Sequence, residues 1–150
     1  MRRASPLLLA LLLLAGCGGG GSSSSGQPLT RDQYASQADA ICSKYKQKTG
    51  ALSRPATLTD LADVADQVLP LLDAARGELR ALRPPAAEQA TAQAWLDEFD
   101  LIVQDVKNIR DKAKNNDTAG VQAAAQPALK HDQHANELAA QLGMTVCSKD

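Results

Sequence analysis

The two histidines are the residues of this chain best suited to hold a metal. In His131-Asp132-Gln133-His134, with Glu137 beyond, three candidate ligands recur at three-residue steps. Imidazole nitrogens at that spacing on a helix suit Zn²⁺ or Cu²⁺. The helical wheel works against the idea. At about 100° per residue, His131 borders the apolar stripe while Glu137 points to the opposite side. His131 and His134 are therefore weak metal candidates, and no cofactor is expected. Asp97, Glu98, Asp100 and Asp105 form an acidic cluster that reads as a solvated face. Cys17, Cys42 and Cys147 supply thiols, but nucleophilic work by cysteine needs a free thiolate beside a base. The chain has no HExxH, no GxSxG and no Walker-type glycine loop, so no catalytic residue is named and no enzyme is expected.

The elements that carry these residues are helical. Among 150 residues, 27 are Ala and 21 are Leu, both strong helix formers, while aromatic residues make up only 3%. That composition disfavours a β-sandwich or barrel. It also lacks the stacking platforms of a single-strand nucleic-acid binder. A formal charge of −1 offers no basic footprint for phosphates, so no nucleic-acid partner is expected.

Thr30-Arg31-Asp32-Gln33 has the form of a capping box. Behind it Tyr34, Ala38, Ile41, Cys42 and Tyr45 recur at three- and four-residue steps, which predicts helix one over about 31–52, ended by Pro55. Thr57 with Asp60 opens helix two. Its stripe is Leu61, Val64, Val68, Leu72, Ala75, Leu79 and Leu82, stopped by Pro84-Pro85. Pro70 inside it predicts a kink near Gln67, or a break into two helices. Helix three follows Pro85, with Trp95, Phe99, Ile102, Val103, Val106 and Ile109 on its buried face. Asn115-Asn116-Asp117 closes it and caps helix four. Helix four carries Val121, Ala125, Ala128, Leu138 and Leu142, an internal Pro127, and Gly143 as its terminator. Four helices of about 20–27 residues joined by short turns predict an all-α, four-helix up-down-up-down bundle over 30–150.

The first 29 residues read as an address. Arg2 and Arg3 form a positive start and Leu7 to Leu14 an apolar run too short to span a bilayer. Leu14-Ala15-Gly16-Cys17 resembles a bacterial lipobox. The resemblance implies a lipoprotein signal peptide over 1–16, diacylglycerol on the Cys17 sulfur, and cleavage before Cys17. An ordinary signal peptide with a coincidental cysteine is the alternative. Gly18 to Gly26 reads GGGGSSSSG and can pack against nothing, so 17–29 is a lipidated cysteine with a flexible tether. Loss of Arg2 and Arg3 would leave 14 basic against 17 acidic side chains, a formal charge of −3. Acyl chains, rather than charge, would then hold the chain to a cell membrane on its extracytoplasmic face.

With Cys17 lipidated, Cys42 and Cys147 remain as an even pair in an exported chain, where a disulfide is expected. In the bundle, helix four would end beside the start of helix one. Cys42 would lie about 18 Å along helix one. Residues 143–147 can climb back about 16 Å when extended, so the sulfurs can meet. The bridge would close a loop of 105 residues. Chain entropy values such a loop at roughly 4.7 kcal/mol. Two separate reduced thiols are the other reading.

Ala38-Asp39-Ala40-Ile41-Cys42, Leu79 to Pro85, and Leu142-Gly143 followed by Cys147 resemble a family of small actinobacterial secreted proteins and lipoproteins. The match covers about 30–147. It implies an Ala-rich helical domain with a cysteine pair and brings no catalytic residue. The functional expectation is a non-enzymatic envelope lipoprotein, a binding or structural module for a protein or small-molecule partner. The alternative is a small-molecule or metal-ion carrier using the bundle interior, or the His131/His134 face. An apolar cavity above roughly 300 Å³, opened at Pro70 and Pro127, would favour the carrier.

Overall fold

The computed structural model describes residues 27–149. The expected signal peptide, the lipidation site Cys17 and the tether as far as Gly26 lie outside the described residues. Within them the fold is all-helical, with no strand. Its four α-helices are α1 (Arg31–Gly50), α2 (Leu58–Ala81), α3 (Gln89–Lys114) and α4 (Thr118–Gln141), and a 3₁₀ turn at Ala86–Glu88 leads into α3. None of these helices is long and apolar enough to cross a membrane.

The helix ends are set by local hydrogen bonds. At α1, the Thr30 hydroxyl accepts from Gln33 N–H and the Gln33 side chain accepts from Thr30 N–H. Thr57 and Asp60 repeat the arrangement at α2. Asp117 opens α4 by accepting from Gly120 N–H at 2.8 Å. Any Cβ at position 120 would fall about 2.0 Å from the Asp117 carboxylate, so glycine is required for this cap. Gly143 takes a φ of +82° and ends α4. Its N–H reaches Ala140 O, and Met144 N–H reaches Ala139 O, which satisfies the last carbonyls and turns Met144 into the core. Pro70 and Pro127 both lie inside continuous helices, so α2 is not split in two.

α3 is the central element and packs along α2 and, most extensively, along α4. The core draws on all four helices; Tyr34, Leu79 and Leu142 are fully buried in it, and Trp95 is buried beside them. α1 contributes only Tyr34, Ala35, Ala38 and Tyr45 as buried residues; Ile41 and Cys42 lie half-buried beside the core cluster. It ends at Gly50, slightly before the expected 52. Its attachment is mainly polar and covalent. Arg31 pairs with Glu88 at 3.2 Å and donates to Gln141 O, Lys44 pairs with Glu78, and Cys42 is bonded to Cys147.

Two expected faces need correction. In the first half of α2 the buried positions are Ala62, Ala65 and Leu69, not Leu61, Val64 and Val68, which are half-buried. Alanine lets helix backbones approach closely, so the small residues take the contact line and the bulkier neighbours flank it. In α3 the acidic cluster is not one solvated face. Asp97 is exposed, Glu98 and Asp100 are half-buried, and Asp105 is buried at 6% exposure.

Truncating Leu79 to Ala empties a site that is 1% exposed and should cost about 2–5 kcal/mol in urea unfolding. Leu129→Ala, at a position 58% exposed, should change stability by less than about 0.5 kcal/mol.

Candidate functional site

A half-open cavity of about 220 Å³ lies between the four helices, against the disulfide. α1 supplies Ile41, Cys42 and Tyr45 to its wall, α2 supplies Leu72, Ala75 and Leu79, and α3 supplies Trp95, Phe99 and Ile102. α4 adds Ala135, with Asp132 and Asn136 toward the edge. The cavity exists because large rings stand beside alanines. Tyr45, Trp95 and Phe99 hold the helices apart where Ala75 and Ala135 leave space. Neither Pro70 nor Pro127 lines it, so this cavity is not the proline-opened pocket expected from the sequence.

Its volume is below the roughly 300 Å³ at which ligand sites for drug-sized molecules begin. It exceeds the roughly 150 Å³ of an apolar cavity that takes up benzene. A single ring or a short alkyl chain fits, with the rest of a longer molecule projecting through the open side.

The wall on the α1 side is held by three polar devices. Tyr45 donates its hydroxyl to Glu78 at 2.7 Å, and Lys44 engages the same carboxylate. The Lys44 and Tyr45 hydrogen bonds hold the Glu78 carboxyl below its usual range, while Glu78 pushes the Tyr45 phenol up. The Lys44 and Lys48 ammonium groups sit 4.7 and 5.0 Å from the Tyr45 ring centre. Deeper in the core, burial and the Glu88 charge raise the Tyr34 phenol to about 12, so it stays neutral.

The third device is Asp39, one helical turn before Cys42. One of its carboxylate oxygens accepts from Thr145 N–H at 2.7 Å and from the Thr145 hydroxyl at 3.0 Å. The other accepts from Val146 N–H at 2.9 Å and Cys147 N–H at 3.0 Å. Burial by itself would raise this carboxyl; the hydrogen bonds from Cys147, Thr145 and Val146 outweigh it and leave Asp39 below its ordinary value. The loop so gathered brings Cys147 to Cys42, with an S–S distance of 2.08 Å and a Cα–Cα distance of 5.4 Å. The expected pairing of Cys42 with Cys147 is thus present.

His131 and His134 each lean on a carboxylate of α3. His131 Nδ1 lies 2.7 Å from Asp105, and His134 Nδ1 lies 2.8 Å from Glu98. Carboxylates at Nδ1 are the usual orienting partners of metal-bound imidazoles. The geometry nevertheless separates the two rings. Glu98 and Asp105 stand seven residues apart, about 10.5 Å along α3, whereas the histidines start only about 4.5 Å apart along α4. Each ring turns toward its own acid and away from the other. Glu137 is exposed, and no group of three potential metal ligands converges among the described residues. Among the described residues, the hydrogen bonds of the two imidazoles go to carboxylates, not to a hydroxyl or thiol. The dyads lock α4 to α3.

One of these residues was open to inference. Asp39 lies three positions before Cys42, on the same helix face, which places a carboxylate beside any loop that Cys147 brings in. Asp105 carries no such signal, since its burial depends on where α4 packs.

No family model, curated protein or solved structure matches this chain.

Asp39 makes acid stability a test of the loop. A depressed native pKa contributes stability that is present above the unfolded value of about 3.9 and is lost as pH falls through the native value. Urea unfolding should weaken progressively below about pH 4, and Asp39→Asn should flatten part of that slope while lowering stability at neutral pH. His131→Ala strands the Asp105 side chain, 8% exposed, and should cost about 1–3 kcal/mol. His134→Ala, at a side chain 55% exposed, should cost less than about 1 kcal/mol in the same measurement.

Proposed function

We propose that this chain is an extracytoplasmic lipoprotein, a non-enzymatic binding module that holds a small apolar ligand in the cavity beside Cys42–Cys147. The observation that carries the reading is that cavity. It is about 220 Å³, walled by Tyr45, Trp95 and Phe99, and open on one side. Enclosed apolar space with an entrance suits uptake of a ring or chain from water.

The disulfide supports the extracytoplasmic setting, because such bonds persist where the compartment is oxidising. The lipobox-like Leu14-Ala15-Gly16-Cys17 and the following Gly/Ser tether supply the means of attachment. Acyl chains on Cys17 anchor the module to the cell membrane, and the tether lets the domain face solvent. In this reading the helices follow one another up-down-up-down, the arrangement that short connections between long helices favour. Each end of the bundle then presents a different set of loops.

The anchoring is tested by membrane fractionation. The native chain should sediment with membranes and yield an acylated N-terminal peptide by mass spectrometry; Cys17→Ser should move most of it to the soluble or secreted fraction. An unmodified, soluble native chain would refute the anchor. The binding is tested separately through Trp95, the chain's sole tryptophan and part of the cavity wall. Neutral 3-phenylpropan-1-ol should change its fluorescence saturably, and Ala75→Phe should abolish that saturation by filling the space without adding a second tryptophan.

A further inference from the structure

The edge of the cavity differs in chemistry from its floor. Lys46 of α1 and Lys149 of the C-terminal tail both line it. The Lys46 ammonium contacts two carbonyl oxygens, that of Val146 at 3.3 Å and that of Lys149. Those acceptors are neutral dipoles, and among the described residues the ammonium forms no ion pair with a carboxylate. The Lys149 ammonium takes part in none of the ion pairs or hydrogen bonds of the described residues. The other polar groups at the edge are already engaged. Thr49 turns its hydroxyl back to Tyr45 O at 3.1 Å, and the Asp132 carboxylate accepts from Asn136 at 3.3 Å. Two cations that form no ion pair among the described residues thus stand over an aromatic and aliphatic floor, with the Asp132 carboxylate on the α4 edge.

We infer that the cavity takes an amphiphile with an apolar body, an aryl ring or short alkyl chain, and one acidic head group. The inference rests on the binding function proposed above and specifies its ligand. The body lies against Trp95, Phe99 and Leu72. The carboxylate or comparable anion projects through the open side to Lys46 and Lys149. Desolvation selects the body, because it removes apolar surface from water. Charge selects the head at little cost, because the ammonium groups stay near water and give up little hydration. Asp132, on the α4 edge of the cavity, opposes a second negative charge, so the class is monoanionic.

The test uses the full-length chain with its disulfide intact, in phosphatidylcholine vesicles, titrated with three probes of one shape. These are 3-phenylpropionate, 3-phenylpropan-1-ol and 3-phenylpropylamine. Trp95 fluorescence is the readout, with empty vesicles correcting for partition and Trp95→Phe confirming the source of the signal. The acid should bind about fivefold tighter than the alcohol, the sum expected of two exposed charge contacts, and the amine weakest. High salt should shrink that preference. Lys149→Gln, whose ammonium holds no other group, should lower affinity for the acid about two- to threefold and leave the alcohol unchanged. Lys46→Gln combined with Lys149→Gln should equalise acid and alcohol, with thermal unfolding showing that the fold persists. Equal affinity for acid and alcohol in the native chain would overturn the acidic-head class and leave the apolar site standing. Failure of all three probes to perturb Trp95 would overturn both.

Discussion

Asp39 and the Cys42–Cys147 bond form one joint, and the arrangement of this protein depends on it. α1 is a polar helix, with four buried residues of which two are alanine. Apart from the rings of Tyr34 and Tyr45, α1 gives the core only small buried side chains. What binds it is a carboxylate that collects three backbone N–H groups from residues 145–147, and a covalent bond one turn further on. Those N–H groups belong to a loop that has left α4 and has no helical partners for them. Asp39 satisfies them and, in doing so, sets the position of Cys147. The joint closes a loop of 105 residues, so it also removes much of the freedom of the unfolded chain.

The same joint creates the cavity. Its wall includes both cysteines and the α1 residues Ile41 and Tyr45. With α1 free to depart, Leu72, Phe99 and Ile102 would face solvent across a shallow groove. The Tyr45–Glu78–Lys44 contacts add lateral restraint at that wall, but as exposed ion pairs they contribute little to total stability. Their effect is to fix the angle of a ring that forms the cavity boundary. Composition explains the space itself. In a chain with few aromatic residues and many alanines, three rings gathered at one level cannot interdigitate with equally large partners, and a pocket remains.

α3 and α4 are joined in a different way. Their contact combines alanine-lined close packing with two acid–imidazole pairs, one buried and one near the surface. The buried pair is the more consequential. A carboxylate at 6% exposure needs a partner, and His131 supplies it. That pairing fixes the rotation of α4 on α3, and it is also what draws the two histidines apart. A sequence feature that looks like a metal motif acts here as a clamp between helices.

What the sequence determined by itself were features governed by bonds a few residues long. Thr30 with Gln33, Thr57 with Asp60, Asp117 with Gly120, and Gly143 mark helix ends through hydrogen bonds that close within one turn, so neighbouring residues are enough to specify them. The pairing of Cys42 with Cys147 was legible too, since helix rise and chain reach bound the distance between them. Tertiary structure alone decided which face of each helix turns inward. A helix of mixed alanine, leucine and valine has several near-equal apolar stripes, and the choice of Ala62 and Ala65 over Leu61 and Val64 depends on how close α3 can come. Asp105 became a buried group, and the His131/His134 pair separated, for the same reason: the energy of a charged or polar side chain is set by what faces it across the interface, and that partner lies on another helix.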